Sequence, residues 1–256
     1  MSILLNTRLV QCIIAGLILI IIIQIIYKNE ISKSYDNQAH IVLFENLGLK
    51  SGSDKVVDHN FQHMYGQYLG PLRLEKINFL EIGLGCNMAY GPGRSISIWK
   101  KFLPRASISM FEFNEACARK FEDQVDNLFV GDQSNLNMVE KIGKNYGPFK
   151  VIVDDGGHSR KQQINSLIGF WPFIQQGGIY IIEDLITSFM KKYDDNPNQS
   201  TMDLLVELII IMNDPKPPHV LSLNNKNITI SQHALKISRD LLSVSFFQGA
   251  CVLVKK

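Results

Sequence analysis

Neither sign of charge is in excess: 26 Lys and Arg stand against 24 Asp and Glu, a formal net charge of +2. That balance excludes the basic footprint of a nucleic-acid binder. Cysteine is scarce as well. Cys12, Cys86, Cys117 and Cys251 show no CxxC pair and no framework spacing, so neither a zinc knuckle nor a disulfide scaffold is expected. Internal repeats are absent, which removes the solenoid architectures. What the chain does have is 46% hydrophobic residues in a length of 256. With the N-terminus set aside, that is enough for one α/β domain with a full core.

One apolar run is long. Leu9 to Tyr27 reads LVQCIIAGLILIIIIQIIY and carries no charge. A helix of roughly 19 residues covers about 28 Å, close to a bilayer core of about 30 Å. A secretory signal has a shorter apolar region and a small-residue cleavage site. The run is therefore read as an uncleaved single-pass anchor, with the lipid bilayer as a partner and a membrane as the location. The expected organisation is a tail over 1–8, a transmembrane anchor over 9–27, a stalk over 28–53 and a folded domain over 54–256. Arg8, Lys28 and Lys33 are too few to set an orientation. Asn198-Gln199-Ser200 and Asn227-Ile228-Thr229 are glycosylation acceptors if the domain is lumenal.

The stretch from Phe149 to Asp184 reads as a βαβ unit. Val151-Ile152-Val153 ends in Asp154-Asp155-Gly156-Gly157-His158; a helical segment follows; then Gly177-Gly178 precedes a second apolar run, Ile179 to Ile182, ending in Glu183-Asp184. Open parallel sheets place their chemistry at the carboxyl ends of the strands. Four acids and a histidine are thereby expected at one sheet edge.

Upstream, the strand Ile77 to Ile82 carries Glu81 and runs into Gly83-Leu84-Gly85-Cys86-Asn87. Glycines there allow a sharp turn and close approach to a ligand. A dinucleotide fingerprint wants a third glycine three residues on, where Met88 stands, and this disfavours a nicotinamide oxidoreductase. The strand Ala106 to Phe113 contains Glu112, near its end, an acid suited to ribose hydroxyls. A short strand, Leu128 to Val130, leads to Asp132 and Gln133, which suit an adenine edge, although Asp132 can equally cap the next helix. His59 and His63 share one helical face, better read as part of an amphipathic helix than as a metal pair. Leu242 to Phe247 and Ala250 to Val254, separated by Gln248-Gly249, read as a terminal hairpin.

The segments LEIGLGCNMAYGPGRSISIWKKFLP, FEFNEAC, VGDQSN, FKVIVDDGGHSRKQQINSL and GGIYIIEDLITSF, in this order, resemble the class I S-adenosylmethionine-dependent methyltransferases related to macrocin O-methyltransferase and the rhamnosyl O-methyltransferases. They are closer still to a fungal hard-surface-induced-type branch. The resemblance implies a Rossmann-like α/β fold: a mostly parallel seven-stranded sheet with a C-terminal antiparallel hairpin, here behind an N-terminal transmembrane helix. It implies S-adenosyl-L-methionine and Mg2+ as cofactors. Matched residue by residue, Asp155, Glu183 and Asp184 are the implied magnesium ligands. His158 is the implied base, with Asp155 beside it in the catalytic pair. Glu81, Gly83, Gly85, Glu112, Asp132, Gln133 and Asp154 are the implied cofactor shell. Asn135 stands where the family often has an acid.

The expected activity is membrane-anchored, magnesium-assisted O-methylation of a hydroxyl on a sugar, glycolipid or small molecule. The alternative is a catalytically silent methyltransferase fold serving as a binding or scaffold protein at a membrane. Assembly into a homo-oligomer is implied only by the antibiotic-pathway relatives.

Overall fold

The structure, a computed structural model, describes the backbone of residues 2–214, 220–223, 226–229 and 231–256; side chains are described over fewer, omitting 2–14, 16–17, 29, 31–33 and 220–229. In chain order the elements are α1 (Ser2–Ser51), α2 (Asp54–Val57), α3 (Gln62–Leu69), β1 (Asn78–Ile82), α4 (Arg94–Phe102), β2 (Ser107–Glu112), α5 (Glu115–Ala118), β3 (Asn127–Val130) and α6 (Leu136–Tyr146). There follow β4 (Phe149–Asp154), α7 (Arg160–Phe170), β5 (Ile174–Ile182), α8 (Thr201–Asn213), β6 (Val220–Leu223), β7 (Lys226–Thr229), α9 (Gln232–Asp240), β8 (Leu241–Phe247) and β9 (Ala250–Lys255).

Seven strands form one sheet in the order β3-β2-β1-β4-β5-β9-β8. The first five run parallel; β9 is antiparallel to β5, and β8, antiparallel to β9, runs in the direction of the first five. The expected class I architecture is present. Strand order reverses between β1 and β4, and such a switch point opens a crevice at the carboxyl ends of the two strands.

Alternation along the central strands sorts the core into two layers. Val151, Val153, Ile179 and Ile181 face a cluster that holds Phe44, Tyr65, Phe79 and Trp99. Ile152, Tyr180 and Ile182 face the opposite cluster, with Leu167, Phe170, Leu204 and Leu208. Each such side chain contributes roughly 1.5–3 kcal/mol on burial. The helices on the second face begin where the sequence says they can. Ser159 and Gln162 form a capping box at α7, and Ser200 and Asp203 form another at α8; each satisfies backbone donors that the first turn leaves open.

The membrane anchor is not supported. The helix holding Leu9 to Tyr27 does not stop at the end of the apolar run; α1 continues without a break to Ser51. Most of the run up to residue 17 lies outside the described side chains. Among the described residues no helix is long and apolar enough to cross a membrane, and the membrane location expected from sequence is withdrawn on that finding.

The second half of the segment read as a stalk packs against the helices that follow it. Phe44 is fully buried and stacks on Tyr65 with ring centroids 4.7 Å apart. Gly66 and Gly70 of the next helical segment pack against Ile41 and His40. Three smaller differences follow. Asn114 to Val125 reads in the sequence as one helix; in the structure it is a single turn, α5, continued as a 3-10 segment. The helix α9 had no sequence expectation. Cys86 and Cys117 form a disulfide, which pairwise spacing could not announce. Asn198 is exposed; the Asn227 side chain and Ile230 lie outside the described residues.

Candidate active site

The backbone ladder runs one residue past the strand ends. The Asp155 N–H donates to Ile82 O at 2.9 Å, and the Glu183 N–H donates to Asp154 O at 3.0 Å. The first loop residues are therefore held as firmly as the strands. Gly83 has φ +96°, and a Cβ there would lie 1.9 Å from the carbonyl oxygen of Asp155. Only glycine allows the β1 turn and the β4 turn to approach this closely. Between them opens a cleft of about 490 Å³, lined among others by Gly83, Gly85, Glu112, Gly156 and His158. That size suits a small organic ligand.

Glu112 presents both carboxylate oxygens at the cleft. One accepts from the Leu84 N–H and the other from the Asn114 N–H, each at 2.8 Å. Each oxygen keeps a further lone pair for a ligand hydroxyl. The β1–α4 loop forms one wall. Tyr90 OH donates to Asp54 at 2.6 Å, and Arg94 donates to the carbonyl of Ser51. The segment just before α2 is thus tied across the mouth, and Asp54 itself lines the cleft. The Cys86–Cys117 disulfide joins the same loop to α5.

The pleat divides the acidic pairs. Adjacent residues at a strand end point to opposite faces, so neither Asp154-Asp155 nor Glu183-Asp184 acts as a unit. Asp154 turns to the α7 side and is fully buried. It accepts from Gln133 at 2.9 Å and from Tyr180 OH at 3.0 Å. Burial pushes its pKa up to about 6, against the pull of those two hydrogen bonds. Asp155 and Glu183 turn to the other side and meet Lys55.

Lys55 is a hub. Its Nζ lies 2.6 Å from Asp155 Oδ2, 2.8 Å from Glu183 Oε1 and 3.3 Å from Glu81 Oε1. Tyr65 OH also donates to Glu183, while Ser95 and Trp99 donate to Glu81. Burial works to lower the lysine pKa, but Asp155, Glu183 and Glu81 override it and hold the group well above its usual value. One cation does not neutralise three carboxylates, and burial pushes Glu81 and Glu183 up.

Asp184 takes a left-handed conformation at φ +55° and His158 another at φ +60°, uncommon for residues with side chains. These two turns bring the groups together. His158 Nε2 is 3.4 Å from Asp184 Oδ2 and 3.9 Å from Asp155 Oδ1. His59 approaches the other Asp184 oxygen at 3.9 Å. Single atoms of Asp155, His158 and Asp184 all lie within 4.8 Å of one another; the two carboxylates fit a divalent cation, with the imidazole beside them. His158 Nδ1 is buried with no hydrogen-bond partner among the described residues, so Nε2 is the ring atom presented to the carboxylates.

The structure brings Gly83, Gly85, Glu112, Gln133, Asp155, His158 and Asp184 to the cleft. It takes Glu81, Asp154 and Glu183 away from it, into buried hydrogen bonds on either side of the sheet edge. Asp132 does not line the cleft; it accepts from the Ser134 N–H at 2.8 Å, a turn-capping role. Lys55 and Asp54 have no role in the sequence reading; Tyr65 enters it only as part of the amphipathic helix, and Tyr90 only as part of the loop expected to wrap the cofactor. The signal available for Lys55 was a lone lysine in a short segment preceding an aromatic helix, which carries no information until the chain is folded.

No protein-family model matches the chain. Relatives are found among curated enzymes. Mycinamicin VI 2''-O-methyltransferase of Micromonospora griseorubida is 31% identical over 51% of this chain and 33% of its own length. Demethylmacrocin O-methyltransferase of Streptomyces fradiae is 30% identical over 57% of this chain and 38% of its own. A tetracenomycin rhamnosyl 2'-O-methyltransferase of Streptomyces olivaceus is 31% identical over 60% of this chain and 42% of its own. The chain thus spans well under half the length of the curated relatives it matches. In fold it is similar to the MycE methyltransferase solved with Mg, SAH and mycinamycin VI, at a TM-score of 0.68 and 22% identity over 83% of this chain and 54% of that one. The chain is related in sequence to the macrocin-type O-methyltransferases and shares the class I methyltransferase fold.

Proposed function

We infer that this relative of the sugar O-methyltransferases transfers a methyl group from S-adenosylmethionine to an acceptor hydroxyl, with a divalent cation at the acidic edge. The observation that carries the reading is the meeting of His158, Asp155 and Asp184 beside the glycine-turn cleft. The relatives' names point to a hydroxyl on a sugar. S-adenosylmethionine supplies the electrophilic methyl group, and Mg2+ supplies the charge that makes a hydroxyl easier to deprotonate.

The chain's own residues do the rest. The Gly83 and Gly85 turn lets the backbone approach the nucleoside, and Glu112 offers its free lone pairs to ribose hydroxyls. Asp155 and Asp184 hold the cation; magnesium prefers oxygen donors and keeps several waters, so two carboxylates suffice. His158 accepts the acceptor's proton at Nε2, and the imidazolium so formed lies against the Asp155 and Asp184 carboxylates, which stabilise it. In-line geometry then governs the transfer itself.

The test is calorimetric binding of S-adenosylhomocysteine to the full chain, followed by mass spectrometry for a gain of one methyl on sugar-bearing acceptors. Absence of nucleoside binding would remove the reading. Binding without turnover on any acceptor would favour the silent scaffold.

A further inference from the structure

We propose that Tyr193 is the acceptor-binding residue of this site, the ring against which a pyranose packs while its hydroxyl meets His158, and that Arg160 is the positioning residue that holds it there. This rests on the reading above and deepens it by naming what grips the sugar.

Among the residues lining the cleft, four are aromatic: Tyr90, Phe111, Phe113 and Tyr193. Three of them belong elsewhere. Phe111 and Phe113 flank Glu112, at the end given to the nucleoside, and Tyr90 spends its hydroxyl on Asp54. Tyr193 ends a short 3-10 turn, Lys191–Tyr193, and stands beside the base. Its ring is 6.4 Å from that of His158, centroid to centroid, at an interplanar angle of 85°. The Lys192 ammonium caps the ring at 4.5 Å from its centroid, a contact that favours one orientation.

A pyranose is amphipathic. Its faces carry C–H groups and its rim carries hydroxyls. An aromatic ring packs on the C–H groups and leaves the rim free for a base and a cation. A wall of hydrogen-bonding groups would compete for the hydroxyl that has to react.

The segment that carries Tyr193 is fastened to the start of α7. Arg160, two residues beyond His158, donates from Nη1 to Asp194 and to the Asn196 carbonyl, the latter at 3.1 Å, and from Nη2 to the Ser188 carbonyl at 3.1 Å. Ser159 Oγ donates to Asp195 at 2.6 Å, and the Lys161 N–H donates to the same carboxylate at 2.9 Å. These bonds grip the segment on both sides of Tyr193. The planar fork of a guanidinium serves several acceptors at once, which an ammonium does not match. The base and the acceptor wall are thereby joined in one piece.

The experiment titrates the full chain, with S-adenosylhomocysteine present, with methyl α-L-rhamnopyranoside and separately with methyl β-D-glucopyranoside, followed by saturation-transfer NMR. The first sugar is of the kind named for one relative. Saturation is expected on the ring C–H protons of at least one sugar. Tyr193→Ala is expected to weaken that sugar about tenfold, the loss of an aromatic anchor, with S-adenosylhomocysteine affinity within threefold of wild type. Tyr193→Phe keeps the ring and should stay within threefold for the sugar. Arg160→Met should weaken the sugar as Tyr193→Ala does, and the double variant should be no worse than Tyr193→Ala alone, because a residue that acts through Tyr193 then has nothing left to position. Sugar affinity within threefold of wild type in Tyr193→Ala would overturn the proposal. So would a loss in Tyr193→Phe equal to that in Tyr193→Ala, or nucleoside-bound wild type that shows no transfer to either sugar; each of these leaves the nucleoside reading standing. Additive losses in the double variant would overturn the role of Arg160. Wild type that binds no S-adenosylhomocysteine would instead remove the preceding reading, and this inference with it.

Discussion

Gln133 donates from Nε2 to Asp154 Oδ1 at 2.9 Å and accepts at Oε1 from the Gly157 N–H, also at 2.9 Å. One amide thus joins a buried carboxylate to the turn that carries His158. Ser166 of α7 lies 2.9 Å from the same Nε2. The two residues matched to the cofactor shell from sequence act behind the turn: Asp154 wholly so, and Gln133 through its side-chain amide.

That pairing makes a pH prediction. Burial raises Asp154 from an ordinary 3.8 to about 6 in the folded protein. The folded state then holds the proton that the unfolded chain releases between those values, so stability falls as pH rises from about 4 to 6. A difference of about two units corresponds to roughly 3 kcal/mol. In Asp154→Asn this component is absent. The stability difference between Asp154→Asn and wild type, from urea unfolding at pH 4 and pH 6.5, is expected to shift by about 2–3 kcal/mol in favour of the variant at the higher pH. A difference that does not change with pH would contradict the assignment.

Gly83→Ala is expected to disable nucleoside binding. The added methyl would meet the Asp155 carbonyl at 1.9 Å, and φ is +96°. Backbone cannot yield as a flexible side chain does, so overpacking costs about 1–3 kcal/mol, with a further 1–2 kcal/mol or so for the left-handed conformation. Thermal unfolding should show the loss, and calorimetry should show S-adenosylhomocysteine affinity down at least tenfold. Gly91→Ala is the comparison: it too has positive φ, but its Cβ would meet nothing within 4 Å.

The strands were legible because Val151-Ile152-Val153 and Ile179 to Ile182 are short apolar runs flanked by turn residues, and a parallel sheet buries both faces of its strands. The hairpin was legible from Gln248-Gly249. The sheet edge where the acids meet was legible for the same reason. Their division was not read out, although the rule needed is elementary: neighbours on a strand face opposite ways, so Asp154 and Asp155 part, as do Glu183 and Asp184. The second part of the story lies at Asp184 and His158, whose left-handed turns depend on tertiary packing and have no local signature. Lys55 was invisible for another reason. It meets Asp155 across 100 residues of sequence and Glu183 across 128, and no periodicity reports a contact of that range. The apolar run at the N-terminus was read from hydropathy alone; the helix that contains it continues to Ser51 and enters the core at Phe44, and among the described residues none is long and apolar enough to span a bilayer.

The Cys86–Cys117 disulfide closes a loop with a sequence separation of 31, and a loop of that length is worth about 3–4 kcal/mol in the chain-entropy account. Cys86 also lines the cleft, so the bond holds the β1–α4 loop against α5 next to Glu112. Dithiothreitol, or Cys117→Ser, is expected to lower the urea midpoint and to weaken S-adenosylhomocysteine a few-fold. Cys251, fully buried between β5 and β8, should remain unmodified by thiol reagents in the native state under the same conditions.

His158→Ala addresses the chemistry directly. A positioned base typically contributes about 10²–10⁴-fold, and the His158 imidazole lies 3.9 and 3.4 Å from Asp155 and Asp184. His59 stands near the other Asp184 oxygen at 3.9 Å but stacks on Phe61 with centroids 5.0 Å apart. The expected outcome is turnover down by at least a hundredfold in His158→Ala with S-adenosylhomocysteine affinity within threefold, because the ring touches none of the Glu112 or glycine-turn contacts. His59→Ala is expected to lose less than tenfold. Equal losses in the two variants would move the proton acceptor to His59, and full activity in His158→Ala would remove the base from this site altogether.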